Sequence, residues 1–267
     1  MAESTPATVS TRLTILGSGD AFSGAGCNAA YALDSRVLVD CGAPVHALMP
    51  RVGLDVAAVE LVLLTHFHAD HTFMLPTFLG ARGLDAVSPA PLTVIGPPGT
   101  REYVLRLLGT GYGGHLVGLI GESLPLRWHV MQDGDEARVG DCSVTAHAVV
   151  HSTGPSLAYA VRVGDGPVIG FSGDSTDCAG LRRTISECDV MVCECTGWDA
   201  PVEGGHLWRK EVESLVAEYS DTQFILSHVR TRGTIPGALI AHDLLSLDAR
   251  AADQQAVETA LTEPVSG

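Results

Sequence analysis

Short apolar runs rich in β-branched residues recur along the 267-residue chain, separated by glycine, proline and polar clusters. That rhythm predicts buried strands. They fall over 13–16, 37–40, 61–65, 92–95, 143–149, 157–163, 168–172, 190–193 and 224–227. Several of these runs stop abruptly in polar residues, as in Val37-Leu-Val-Asp-Cys-Gly42, Val62-Leu-Leu-Thr-His66, Ile169-Gly-Phe-Ser-Gly-Asp174 and Phe224-Ile-Leu-Ser-His228. A buried strand that finishes in His or Asp sets that side chain at the rim of the core, where function tends to sit. Helical spacing of apolar residues predicts helices over 100–108 and 206–219, and an Ala/Leu/Asp/Glu-rich composition predicts a third over 238–260. With no internal repeat and no Pro-rich linker, the pattern predicts one layered α/β domain over 11–261. The ends, 1–10 and 262–267, are predicted to fray.

Composition narrows the function classes. At 46% hydrophobic and 18% charged residues, the chain is too apolar to be mainly disordered. Sixteen Lys and Arg against 31 Asp and Glu give a net charge of −15, which weighs against extended nucleic-acid binding or an anionic membrane surface. No apolar run approaches the ~20 residues that span a bilayer. The first residues lack the basic and apolar regions of a secretory signal. Seven cysteines form no CxxC pair, and their odd number predicts reduced thiols and a cytoplasmic location. A homodimer is compatible with all of this.

The decisive segment is Thr65-His66-Phe67-His68-Ala69-Asp70-His71. It follows an apolar run directly, so its imidazoles sit on the turn after a buried strand. Imidazole and carboxylate are the donors that suit Zn²⁺ and similar divalent ions. Charged groups cluster in this way only rarely for packing alone.

This HxHxDH pattern resembles the metallo-β-lactamase superfamily. The resemblance implies a four-layered αββα sandwich and further ligands in a set order. His151 in Ala-Val-Val-His-Ser152, Asp174 in Phe-Ser-Gly-Asp-Ser175 and His228 in Ile-Leu-Ser-His-Val229 fill those positions. It implies that His66, His68 and His151 hold one metal, that Asp70, His71 and His228 hold a second, and that Asp174 bridges. Zinc is favoured by the histidines, while manganese or iron remains compatible with the aspartates.

Within the superfamily the chain is most similar to the ribonuclease Z branch. Leu16-Gly-Ser-Gly-Asp-Ala-Phe22 and Val39-Asp-Cys-Gly42 match its first strands, and Val192-Cys-Glu-Cys-Thr196 with Gly205-His206-Leu207 matches its glutamate and histidine motifs. The resemblance implies a phosphodiesterase using a metal-bridging hydroxide. Asp70 would ligate one metal and orient that hydroxide, while His206, oriented by Glu194, would protonate the leaving group. Two departures matter. The interval from His151 to Asp174 is too short for a tRNA-gripping arm, and Cys193 replaces a histidine. The missing arm and the acidic charge point away from tRNA 3′ processing and towards a small-molecule or small phosphodiester substrate, as in the arm-less phosphoribosyl cyclic phosphodiesterases. Other readings are a metal-dependent hydrolase of a lactone, thioester or sulfate ester, and a non-catalytic metal-binding or sensor protein.

Several other residues carry weaker signals. Arg230 and Arg232 follow His228 and can hold a substrate phosphate, or can be a solvated loop. His147 is read as structural, and Cys193 and Cys195 as packing. Trp198, Trp208 and Phe67 fit core or pocket wall equally. The loops over 109–121 and 196–205 are expected to shape the pocket.

Overall fold

The computed structural model describes residues 10–22, 24–85 and 90–250. The first half of the chain supplies strands β1 (Thr11–Gly17), β2 (Ala30–Leu33), β3 (Val37–Val39), β4 (Leu61–Leu63), β5 (Leu92–Gly96) and β6 (Leu126–Val130). The second half supplies β7 (Glu136–Val139), β8 (Cys142–Val149), β9 (Ser156–Val163), β10 (Val168–Phe171), β11 (Val190–Glu194), β12 (Gln223–Ser227), β13 (Ala238–Ile240) and β14 (Leu245–Ala249). They form two seven-stranded sheets, ordered β14-β1-β2-β3-β4-β5-β6 and β13-β12-β11-β10-β9-β8-β7. Each sheet has a parallel half (β3 to β6, and β10 to β13) and an antiparallel half.

Side-chain alternation explains the layering. In β1, β3 and β4 the residues Leu13, Ile15, Val37, Val39, Leu61 and Leu63 face one shared core, together with Leu157, Tyr159, Val161, Ile169, Phe171, Val190 and Val192 of the other sheet. Residues of opposite parity face outward to helices. On the first sheet these are α1 (Val45–Leu48), α2 (Ala69–Thr72), α3 (Leu75–Gly80) and α4 (Thr100–Ser123), of which α1, α3 and α4 cover Leu38, Val62 and Val94. On the second, α5 (Ala179–Ser186) and α6 (Arg209–Glu218) cover Met191, Cys193 and Phe224. The result is the αββα sandwich. Because the central strands are covered on both faces, their sequences read as unbroken apolar runs.

The nine predicted strands are present with ends shifted by a residue or two. Three predictions are corrected. Residues 238–249 are β13 and β14, not helix, because Ala238–Ile240 and Leu245–Ala249 pair with β12 and β1 and sheet completion overrides helix propensity. The remainder, 251–260, lies outside the described residues, as do the predicted frayed ends over 1–9 and 262–267. Residues 109–121 are not a loop but part of α4, which bends at Gly113 (φ 72°) and stays packed through Val104, Leu108 and Ile120. The helix predicted over 206–219 begins at Arg209, leaving His206 on the preceding turn. Strands β2, β6 and β7 and helices α3 and α5 are further elements that the sequence reading did not predict. Among the described residues no helix is long and apolar enough to cross a membrane.

Beyond β3, the chain packs on the first turn of α2, with Cys41 N donating to His71 O at 2.6 Å and Met74 N to Cys41 O at 3.0 Å. Gly42 is required there, since a Cβ on it would lie 1.6 Å from Asp70 O. Gly42→Ala is therefore expected to displace the Asp70–His71 backbone, lowering both the melting temperature and the divalent-metal content of the purified protein. Calorimetric melting and elemental analysis check this; unchanged values in both would mean that the close approach does not position Asp70.

Candidate metal centre

The carboxyl ends of the parallel strands gather the candidate donors, as the geometry of parallel α/β sheets favours. His66 and His68 lie on the turn after β4, and Asp70 and His71 in the single turn of α2, for which His68 is the N-cap residue. His151 follows β8, Asp174 follows β10 and Glu194 ends β11. His228 follows β12 in a left-handed conformation (φ 52°) that few non-glycine residues adopt without a functional reason. The two sheets are pinned together beside this edge by Tyr159 Oη donating to Leu64 O at 2.9 Å and Leu157 N to Thr65 O at 2.9 Å.

Seven candidate donors predicted from the sequence come together in two groups. His66, His68, His151 and Asp174 form one, and Asp70, His71, His228 and Asp174 the other, with donor atoms in each group within 4.8 Å of one another. Asp174 stands between them. Its Oδ1 lies 3.2 Å from His71 Nε2 and 3.5 Å from His228 Nε2, and its Oδ2 lies 3.6 Å from His66 Nε2 and 3.7 Å from His151 Nε2.

The hydrogen bonds set the orientation of each ring. His71 Nδ1 donates to Asp40 Oδ2 at 2.7 Å, and His151 Nδ1 donates to Gly205 O at 3.0 Å. Thr65 Oγ1 gives its own proton to Asp40 Oδ2 (2.8 Å), so at 3.0 Å it accepts from His66 Nδ1. Thr196 Oγ1 likewise donates to Glu194 Oε2 (2.6 Å) and accepts from His228 Nδ1 at 2.8 Å. Four rings are thereby held with Nε2 facing inward, where that of His228 lies 3.0 Å from Asp70 Oδ2 and that of His151 3.0 Å from His68 Nδ1. His66 Nε2, His71 Nε2 and Asp174 Oδ1 are buried without any hydrogen-bond partner. Buried polar atoms are rarely left so, and three converging ones fit divalent cations as the missing partners.

Burial alone would lower His71 and His228, but the charge of Asp174, with Asp40 beside the first ring and Asp70 beside the second, raises both, His71 well above the ordinary imidazole value. Burial alone would raise the Asp174 carboxyl, but the imidazoles of His228, His71 and His66 hold it well below the usual carboxylate range. Burial and the neighbouring rings keep His66 well below the ordinary imidazole value, in the neutral form that ligates.

Next to this centre lies a second arrangement. Glu194, 2% exposed, accepts from Ser175 N (2.8 Å) and His206 Nδ1 (3.1 Å) on Oε1, and from Thr196 on Oε2. Burial would lower the His206 pKa; the hydrogen bond and charge of Glu194 outweigh it and raise it. Gly204 and Gly205 (φ 102° and 84°) turn the chain so that Gly205 O meets His151 while the next residue reaches Glu194. A cavity of about 430 Å³ opens onto these groups, lined by His68, Asp70, Asp174, His206, His228 and Arg230 among others.

Arg230 reaches this cavity with Nε on Asp20 Oδ2 at 2.6 Å. Arg232 is not among the lining residues; its Nη2 donates to Ser18 Oγ at 2.9 Å. His147 bonds Glu187 and Arg183. Burial pushes the Cys193 thiol far up and that of Cys195 up to about 12, so both stay protonated. Phe67 stacks on Tyr103 (4.6 Å between centroids), and neither Trp198 nor Trp208 lines the cavity. The aromatic lining is Phe22 and Phe73, which no periodicity marks because both sit in short connections. Asp40 and Thr65, supporting the donors from behind, were visible in the sequence only as residues ending strands.

Comparison with known proteins places this site in a family. Residues 35–229 match the beta-lactamase superfamily domain. Ribonuclease Z of Bradyrhizobium diazoefficiens is 24% identical over 253 residues, covering 75% of this chain and 82% of that protein. In fold, the chain resembles the metallo-beta-lactamase fold protein YhfI from Bacillus subtilis (TM-score 0.72, 17% identity, 90% of this chain and 99% of that one). It also resembles human tRNase Z, short form (TM-score 0.70, 22% identity, 88% and 98%). The chain belongs to the metallo-β-lactamase superfamily. It is a hydrolase of that superfamily, whose members use divalent metals, typically zinc.

The supporting hydrogen bonds make a prediction separate from the donors themselves. Asp40→Ala frees the His71 and His66 rings, and Thr196→Val frees that of His228. Each is expected to weaken zinc binding about 10–100-fold in competition with a chromophoric chelator. Wild-type affinity in both folded variants would contradict the role assigned to these bonds.

Proposed function

We propose that the protein is a dinuclear metal-dependent phosphodiesterase acting on a small substrate. His66, His68 and His151 would hold one ion and Asp70, His71 and His228 the other, with Asp174 shared between them. Bound divalent ions, zinc by the donor set, lower the pKa of water to give a nucleophile at neutral pH and neutralise charge on the phosphoryl oxygens. The chain's own residues do the rest. Asp70 orients the attacking oxygen from its place beside His228, whose Nε2 is 3.0 Å from Asp70 Oδ2. His206 donates its proton to the departing alkoxide, and Glu194 holds and charges that imidazole through Nδ1. The ring places Nε2 on the edge away from Glu194.

The observation that carries this reading is the Glu194–His206 pair, its carboxylate buried and its imidazole partly exposed, at the edge of the donor cluster. An ester that expels an alkoxide needs such an acid, and a phosphodiester of a sugar or alkyl alcohol is one. Relatives named as ribonucleases support the same bond type. A small substrate is supported by the interval from His151 to Asp174, which β9 and β10 fill with no room for an arm.

The test compares leaving groups. His206→Ala should retain its metal, because no donor of either group is removed. It should lose about 10²–10⁴-fold in kcat/KM on a phosphodiester with an alkyl leaving group and far less on a p-nitrophenyl ester. Glu194→Gln should follow more mildly. Equal losses on both esters would reassign His206 to substrate positioning, and lost metal would place it among the ligands.

A further inference from the structure

Phe22 and Phe73 are 91% and 59% exposed, and both line the cavity that opens onto the donor cluster. Exposed apolar side chains scattered over a surface mean little; two large aromatics on the rim of a cavity that opens onto charged groups mark a contact waiting for a ligand. The segment carrying Phe22 is held firmly. Buried Asp20 accepts from Phe22 N on Oδ1 (3.2 Å) and from Arg230 Nε on Oδ2 (2.6 Å). Asn28 Nδ2 donates to Asp20 O at 3.0 Å, and Asp20 N to Val229 O at 3.4 Å. A single carboxylate thus fixes the backbone beneath one ring and the one arginine or lysine among the described lining residues. Held by Nε, the Arg230 side chain is still 49% exposed, with its terminal N–H groups left for an anion.

We infer that this rim is the subsite that selects the substrate's organic group. It takes a flat ring, an aryl group or a nucleobase, against Phe22 and Phe73, while Arg230 holds a phosphoryl oxygen. The inference deepens the phosphodiesterase reading and rests on it. Every aromatic ligand has a π-face to offer these rings, and stacking on a protein aromatic is worth roughly tenfold or more in affinity per ring. A cavity of about 430 Å³ suits a ligand of mononucleotide size. The Glu203 carboxylate on the same lining disfavours a longer polyanion.

Calorimetric titration of the zinc-loaded full chain with methyl phosphate, phenyl phosphate and uridine 5′-monophosphate tests this. One or both ring-bearing ligands are expected to bind about tenfold tighter than methyl phosphate. A gain for phenyl phosphate alone assigns the subsite to aryl groups, and for the nucleotide alone to nucleobases. Phe22→Ala combined with Phe73→Ala should bring the ratio near one, while Arg230→Gln should weaken all three ligands alike. Equal affinities in the wild type, or a ring preference that survives the double substitution, would overturn the inference. So would a dimer in sedimentation that Phe22→Ala dissociates with the ratio untouched. The same preparation is assayed on bis-p-nitrophenyl phosphate: ring preference without hydrolysis supports the subsite and counts against the phosphodiesterase reading alone.

Discussion

Five imidazoles and two carboxylates share the buried edge between the two sheets, and their tolerance of one another depends on how the protons are assigned. Left free, imidazoles would tautomerise and pair with the nearest carboxylate. Here Asp40, Thr65, Thr196 and Gly205 take up the Nδ1 protons of four rings, so their Nε2 atoms turn inward around Asp174 and Asp70. Each threonine accepts from an imidazole because its own proton is already committed to a carboxylate. The support is thus a pair of short chains, Asp40–Thr65–His66 and Glu194–Thr196–His228, that set ring orientation and tautomer together. Such second partners are as much a part of a metal site as its ligands.

Both chains depend on the fold's parallel halves. β3 beside β4 brings Asp40 to Thr65 and His71, and β11 beside β12 brings Glu194 and Thr196 to His228. The same carboxylate, Glu194, also holds His206, and the glycine turn before His206 holds His151 through Gly205 O. The proposed proton donor and the proposed ligands are therefore parts of one hydrogen-bonded unit. A change that moves the 196–206 segment reaches both.

Strands buried on both faces write themselves into a sequence as apolar runs, which is why nine were legible and why their polar last residues pointed to the site. The HxHxDH segment was legible for a different reason: ionisable groups crowded beside a buried strand are costly to keep unless they bind something. What stayed hidden was decided by tertiary contact. Ala30–Leu33 is too short and alanine-rich to stand out, and Ala238–Ile240 and Leu245–Ala249 became strands because sheet edges were there to be completed. Phe22 and Phe73 belong to no periodic face. Arg230 and Arg232, two residues apart, looked equivalent until Asp20 and Ser18 drew them to different partners.

The central claim is that these donors hold two divalent ions on either side of Asp174. Crystals of zinc-containing protein, measured on both sides of the zinc absorption edge, test it most directly. Two anomalous peaks are predicted, each at about 2.0–2.2 Å from its donors. One would touch His66, His68 and His151, the other Asp70, His71 and His228, with Asp174 between. No peak at this edge, or a peak only among Glu194, His206 and His228, would contradict the account.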